Sequence, residues 1–417
     1  MKKIIWAVAF IALVMNTLPT APGMEVFAQA GRSPAGGVPI FQVDPSWLKL
    51  PNGWVLGQVA AVAIDARDNV WIIHRFRGIK PELKAAPPVV AFDSTGKFIR
   101  AWGGPGDGYE WPASEHGLFV DHKGFVWIGG EGRGVNQVLK FTQDGKFVMQ
   151  IGKSGQSKGL KDTENFVGPT DVMVWPKTNE LFVGDTGGHG RVVVMDPDTG
   201  KFKRMWGAFG NAPVDPPAAA SSGRGRGAAA PPDEDVDNGA DPQQLREAHR
   251  VRVSNDGMVY VADGPNKRFQ VFTVDGKFVK QVYVERGKKP ESVVPIVTTT
   301  GSGFEAQWAE MYKAVAKEQL IDHHETASGV ALSTDAEQRY LYVYDRSASK
   351  ILIFDRRSLT KIGEFGGGPG RAPGQFYIPH DIRVDSRGNV YVAEVNVGAR
   401  VQKFVLKGYM VPTAGTN

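Results

Sequence analysis

Six segments of the chain repeat one pattern: a hydrophobic strand, a polar turn with Gly or Asn, a second strand of the type V-W/Y-V/I, then an acidic or similar residue and a short loop. They read VAAVAIDARDNVWIIHRFRG, EHGLFVDHKGFVWIGGEGRG, PTDVMVWPKTNELFVGDTGG, AHRVRVSNDGMVYVADGPNK, ASGVALSTDAEQRYLYVYDR and PHDIRVDSRGNVYVAEVNVG. A second pair of strands follows, as in VVAFDSTGKFIRAWG or VLKFTQDGKFVMQIG, where D-x-x-G-K or D-G-K marks a tight hairpin. One such four-stranded unit cannot bury its apolar faces alone, so the units must stack side by side and close on themselves. The pattern predicts an all-β fold, a six-bladed β-propeller over residues 38–410.

A chain of 417 residues would ordinarily suggest two or three domains, but a closed ring of blades is one unit of this size. Two stretches interrupt the blades. Residues 208–243 are low-complexity and too poor in large apolar side chains to pack. Residues 286–326 carry AQWAEMYKAVAKEQL, whose apolar spacing predicts a helix over 304–320, packed on the ring or covering one face of it.

The first thirty residues are expected to be a signal peptide. Lys2 and Lys3 precede an apolar run over 4–14, and Ala28-Gln29-Ala30 supplies the small residues a signal peptidase needs. The run is too short for a membrane span, so no anchor is expected after cleavage and the mature protein is expected to be periplasmic or secreted. With no cysteine there is neither a disulfide nor a lipid-modified thiol. The net charge of +5 is spread along the chain without a basic block, which argues against nucleic acid as a partner. A closed ring is expected to be stable as a monomer.

Three histidines stand at the same slot of alternate repeats: His116 in EHGLFVD, His249 in AHRVRVS and His380 in PHDIRVD. The other three slots hold Ala60, Thr170 and Ser328. In a six-membered ring, alternate copies lie a third of a turn apart, so the three side chains converge on the axis. Three imidazole nitrogens with a fourth position open describe a catalytic rather than a structural zinc site, although Ni, Co, Fe or Mn fit the same donors. The remaining histidines have plainer readings: His74 beside the channel mouth, His122 in a turn, and His323 and His324 in a solvated acidic loop. Asp185, Asp263 and Asp345 share one repeat position after the second strand, where a short carboxylate fixes a turn through backbone N–H groups.

The repeats resemble NHL repeats, and the whole mature chain resembles peptidylglycine α-hydroxy amidating lyase, a six-bladed propeller. The shared stretches are GQVAAVAID, HGLFVD, PTDVMV with GDTGGHGRV, AHRVRVS with VADGPNKR, and PGQFYIPHDIRVD. The resemblance implies a zinc ion on His116, His249 and His380, and a calcium ion in the channel held by the carbonyls of Val62 and Leu118 and by Asp381. It implies a reaction that splits a C-terminal α-hydroxyglycine into a peptide amide and glyoxylate. One substrate-binding arginine of the family falls on Arg75. The family's tyrosine position is Gly187 and its second arginine position is Gly264. His189, two residues beyond Gly187, and Arg346, after Asp345 in blade five, are the candidate replacements, since imidazole suits proton transfer near neutral pH and guanidinium suits a carboxylate.

Three functions follow as alternatives: an exported metal-dependent lyase acting on a small-molecule or peptide substrate, a metal-dependent hydrolase activating water at the same open position, and a non-catalytic propeller binding a protein or glycan. Fold alone does not choose among them.

Overall fold

The computed structural model describes residues 24–27, 37–216, 239, 241–285, 325–396 and 398–412. The expected helix over 304–320, the middle of the low-complexity stretch, His323, His324 and most of the expected signal peptide lie outside these residues.

Six antiparallel sheets form the fold, and five of them take four consecutive strands each. The first strands of blades one to six are Gln58–Ile64, Ser114–Val120, Pro169–Trp175, Arg250–Val253, Gly329–Leu332 and Pro379–Val384. Each packs against the first strands of its two neighbours, the sixth against the first, so these six line the axis. Their two faces are both covered, as in blade one, where Val59 to Ala63 are buried without a break. Outer strands such as Phe278–Tyr283 are largely exposed, as expected for the rim of a propeller. Blade six differs. Its Arg400–Pro412 strand pairs with Val38–Asp44 from the N-terminal side, so the two ends of the ring are joined within one sheet. Met24–Phe27 adds to the same strand further out, between Tyr409 and Pro412.

The recurring aromatic of the second strand is explained by the turn that precedes it. In blade two, Asp121 accepts the N–H groups of Lys123 and Phe125, and its other oxygen accepts the indole N–H of the fully buried Trp127 at 2.8 Å. Asp65 serves Arg67, Asn69 and Trp71 in the same way, and Asp385 serves Arg387, Asn389 and Tyr391. One carboxylate therefore closes the hairpin and satisfies the polar end of a core aromatic.

His74 is a core residue. Its Nδ1 accepts the Gly57 N–H at 3.1 Å and its Nε2–H donates to the Pro87 carbonyl at 3.1 Å. Burial holds its pKa down to about 4. The unfolded chain takes up this proton below the ordinary value of 6.5, whereas the native state refuses it until about pH 4. Stability from this group is therefore complete above pH 6.5 and is lost as pH falls towards 4, by roughly 3 kcal/mol in all. The neutral variant His74→Gln is expected to narrow its stability gap to wild type between pH 7 and 4 in urea titrations. Parallel curves for the two proteins would refute the assignment.

Candidate metal centre

The three histidines meet on the axis. Their ring centroids are 4.6 to 5.0 Å apart, and all three rings are buried. The backbone aims them. In blades two and six the pairing of the first two strands shifts register across the histidine, and blades one and three shift at Ala60 and Thr170. A bulge of this kind leaves one residue outside the ladder and turns its side chain.

Each Nδ1 is tied to the backbone of an intervening blade. His116 Nδ1 lies 2.6 Å from the Thr170 carbonyl, His249 Nδ1 2.6 Å from that of Ser328, and His380 Nδ1 2.7 Å from that of Ala60. A carbonyl only accepts, and its contact is shorter than the 3.0 and 3.1 Å from Arg250 Nη1 and Nη2 to His116 Nδ1 and His380 Nδ1, so each Nδ1 is assigned as the donor and each Nε2 keeps its lone pair. The slots without histidine thus supply the carbonyls that orient the histidines. The Nε2 atoms of His116 and His249 are 3.2 Å apart. Two lone pairs facing at that distance repel unless a cation lies between them, and Zn–N bonds of about 2.0–2.1 Å in a tetrahedron place donors roughly 3.3 Å apart. The donor set fits a divalent metal: three potential ligand atoms lie within 4.8 Å of one another.

Tyr344, fully buried, completes the wall: its hydroxyl donates to the His380 carbonyl at 2.6 Å and lies 3.1 Å from His249 Nδ1. Room for its ring comes from Gly329, the residue after the slot, where a Cβ would stand 1.9 Å from the ring.

Above the histidines, one repeat position lies at the end of the second strand, or two residues before it in blade three. Asp185 accepts the N–H groups of Val167 and Gly168, Asp263 that of Arg246, Asp345 that of Ala348 and Glu394 that of Tyr377, all structural bonds. Blades one and two place Arg75 and Glu131 there, and these two form an ion pair with each other. Arg75 also donates to the Gln58 side chain and the Glu115 carbonyl, so it is braced rather than free for a substrate. Glu131 turns its second oxygen to within 3.5 Å of His116 Nε2. Sequence reading missed Glu131, because nothing in GGEGRG separates it from the acids that hold turns.

Arg346 is buried over the Tyr344 ring, which is 5.9 Å away, and its Nη1 pairs with Glu325. Among the described residues its Nε and Nη2 have no hydrogen-bond partner. His189 is half-buried and opens the third strand of blade three, where its Nδ1 lies 2.8 Å from the Val214 carbonyl; no hydrogen bond or ring contact among the described residues joins it to the other histidines. Nor is there space to restore the family's side chains: a Cβ at Gly187 would lie 1.9 Å from Val167 Cγ1, and one at Gly264 2.5 Å from Ser328 Oγ.

Below the histidines the channel is filled by arginine, and here the expectation of calcium is corrected. Arg250, fully buried, reaches from blade four across the axis. It donates to the Ala60 and His380 carbonyls at 2.9 Å and to that of Thr170 at 3.1 Å, and its Nε pairs with Asp381 at 3.2 Å. Arg252 bridges Asp171 and Asp381, and Arg383 pairs with Asp381 at 2.8 Å. The second Asp381 oxygen accepts the Val62 N–H, and the Leu118 carbonyl accepts from Arg383. Burial pushes the Asp381 carboxyl up, while Arg250 and Arg252 draw it back. Calcium needs six to eight oxygens at about 2.3–2.6 Å. Of the three ligands implied by the resemblance, Asp381 faces three guanidinium groups, the Leu118 carbonyl accepts from one of them and Val62 donates its N–H to Asp381, so positive charge already occupies the region. These residues do not fit a calcium ion.

Two outcomes are expected. The melting temperature should be the same in excess calcium as in excess chelator selective for it, and stabilisation by calcium would overturn the reading of the channel. Ala at His116, His249 or His380 should abolish stoichiometric divalent metal measured by mass spectrometry, whereas metal retained in all three variants would exclude the site.

The repeat model and the sequence relatives agree with this architecture. A model of the NHL repeat matches residues 376–404. NHL repeat-containing protein 3 of Homo sapiens is 25% identical over 386 residues, covering 90% of this chain and 87% of the relative. Peptidyl-glycine alpha-amidating monooxygenase of Mus musculus is 27% identical over 370 residues, covering 78% of this chain but only 34% of the relative. A streptogramin B lyase structure aligns over 88% of this chain and 98% of its own at 12% identity, with a TM-score of 0.46. The chain is an NHL-repeat six-bladed β-propeller, related in sequence to NHL repeat-containing protein 3 and distantly to the peptidylglycine α-amidating enzymes.

Proposed function

We propose that this protein is an exported metal-dependent lyase, zinc being the first choice of ion, that cleaves a carbinolamide-type substrate such as a peptidyl-α-hydroxyglycine and releases glyoxylate or a related small carbonyl compound. The observation that carries the reading is the convergence of three Nε2 atoms whose rings are oriented by carbonyls from the intervening blades. The relationship to the amidating enzymes supports it.

An ion held by three imidazoles supplies Lewis-acid polarisation of a hydroxyl oxygen. In the reaction the hydroxyl O–H bond breaks and its electron pair forms the new C=O bond. The C–N bond breaks with its pair moving to nitrogen, which gains a proton, so amide and aldehyde account for every atom. Of the candidate residues, Arg346 is suited to the substrate carboxylate, because two of its donors have no partner among the described residues in a buried setting. Arg75 acts through Glu131, which it holds in place. His189 is turned to the Val214 carbonyl and is given no role in this step.

Lys2-Lys3, the apolar run over 4–14 and the small residues at 28–30 support export, and the pairing of both chain ends within blade six supports a self-sufficient monomer. No helix among the described residues is long and apolar enough to cross a membrane.

A hydrolase at the same site is the second reading. It is favoured by Gly187 and Gly264, where the tyrosine and second arginine of the amidating enzymes have no room, and it needs only water at the open position. Mature protein loaded with zinc should release glyoxylate from a short α-hydroxyglycine peptide, and the His249→Ala variant should not. Metal retention without glyoxylate would exclude this lyase reaction and leave the hydrolase. Failure to retain any metal would leave a propeller that binds a protein or glycan.

A further inference from the structure

We propose that the mouth of the metal centre is bipolar and that its polarity selects the substrate: Glu131 accepts a hydrogen bond from the hydroxyl of an α-hydroxy acid unit while Arg346 takes its carboxylate. This rests on the metal-dependent reading above and specifies which molecules that site admits.

Glu131 ends the second strand of blade two and Arg346 follows the second strand of blade five, so in a ring of six they stand on opposite sides of the axis. Both stand just above the histidines. Glu131 pairs with Ser114, two residues before His116, and Arg346 comes two residues after Tyr344, which pairs with the residue following the Ser328 slot. The two sides have opposite hydrogen-bonding character. An ionised carboxylate only accepts, so the ligand atom beside Glu131 must carry a hydrogen, as a hydroxyl does and a carboxylate does not. Glu131 cannot swing away to fix a turn as its counterparts do, because Arg75 holds one of its oxygens. The second oxygen, 3.5 Å from His116 Nε2, is therefore kept over the donor set.

On the far side, Arg346 is saturated only at Nη1, by Glu325. Nε and Nη2, the unpartnered atoms, are the two that form the side-on fork of a guanidinium, and a carboxylate bridges such a fork with both oxygens. Leaving this pair of donors buried and unsatisfied is costly, and an anionic ligand relieves the cost. The negative charge of Glu131 also repels a carboxylate placed in the reverse orientation. A ligand with adjacent hydroxyl and carboxylate groups is thus admitted in one orientation.

The test uses full-length mature protein loaded with cobalt(II), with glycolate and acetate as probes that differ by one hydroxyl and are not cleaved. Binding is read from the visible spectrum of the cobalt protein, and cobalt content reports an intact histidine site in each variant. Wild type is expected to prefer glycolate by about tenfold or more, the scale of a hydrogen bond to a charged group. Glu131→Met should bring the two probes to similar affinity, while Glu131→Gln, which keeps an acceptor oxygen, should retain part of the preference. Arg346→Met should weaken both probes equally and leave their ratio unchanged. A wild-type ratio in Glu131→Met, or undiminished binding in Arg346→Met, would overturn the proposal while the metal reading stood. Failure of wild type to take up cobalt would end the metal reading itself and this proposal with it.

Discussion

Everything at the axis depends on the closure of the ring, made by the pairing of Val38–Asp44 with Arg400–Pro412. Six first strands around one axis set the equivalence of Ala60, His116, Thr170, His249, Ser328 and His380. Only in a closed ring do carbonyls from blades one, three and five stand beside the imidazoles of blades six, two and four. The site is therefore built by alternation. Histidine blades provide donors, and the blades between them provide the acceptors that set the tautomers. Second-sphere bonds of this kind normally come from carboxylates or carbonyls recruited case by case; here the propeller's own symmetry supplies them.

The charge along the channel has an order that follows from the same geometry. Beneath the histidines, Arg250, Arg252 and Arg383 face Asp171 and Asp381, and all five side chains are buried or nearly so. Buried ions are tolerated only when paired and hydrogen-bonded. In this network every guanidinium is paired with a carboxylate and Arg250 also reaches backbone carbonyls of blades one, three and six, while Arg250 Nε, Arg252 Nε and Asp171 Oδ1 make no hydrogen bond among the described residues. A guanidinium is a cation with directed donors and needs no uptake from solution, so the guanidinium groups can join the blades where a bound ion would otherwise be required. Arg250 also shares the Thr170 and Ala60 carbonyls with His116 and His380.

Much of the fold was legible because it repeats. The D-x-x-G/D turn with an aromatic six residues on is a local device, seen in Asp65–Trp71, Asp121–Trp127 and Asp385–Tyr391, and local devices survive in a linear pattern. The histidine slot was legible for the same reason. The roles of Asp185, Asp263 and Asp345 were also read correctly, since their bonds run to nearby backbone. Glu131 was not legible: it occupies the same position as those aspartates and differs only in what stands across the channel mouth. Tyr344 was hidden likewise, because its reach to the axis depends on Gly329 in the neighbouring strand.

The linear sequence by itself determined the blade count, the strand order and which three histidines are equivalent, because periodicity is a property of the chain and needs no coordinates. Tertiary structure alone decided what those equivalent positions touch. Arg250 and Arg252 read as alternating polar residues of an ordinary strand, yet they fill the channel expected to hold calcium. His189 stands two residues from Gly187 in the chain, yet its ring is turned to the Val214 carbonyl. The physical reason is that a contact across the axis joins residues more than a hundred positions apart, such as Arg250 and Asp381. Its sign and distance depend on side chains from several blades at once, which no single repeat encodes.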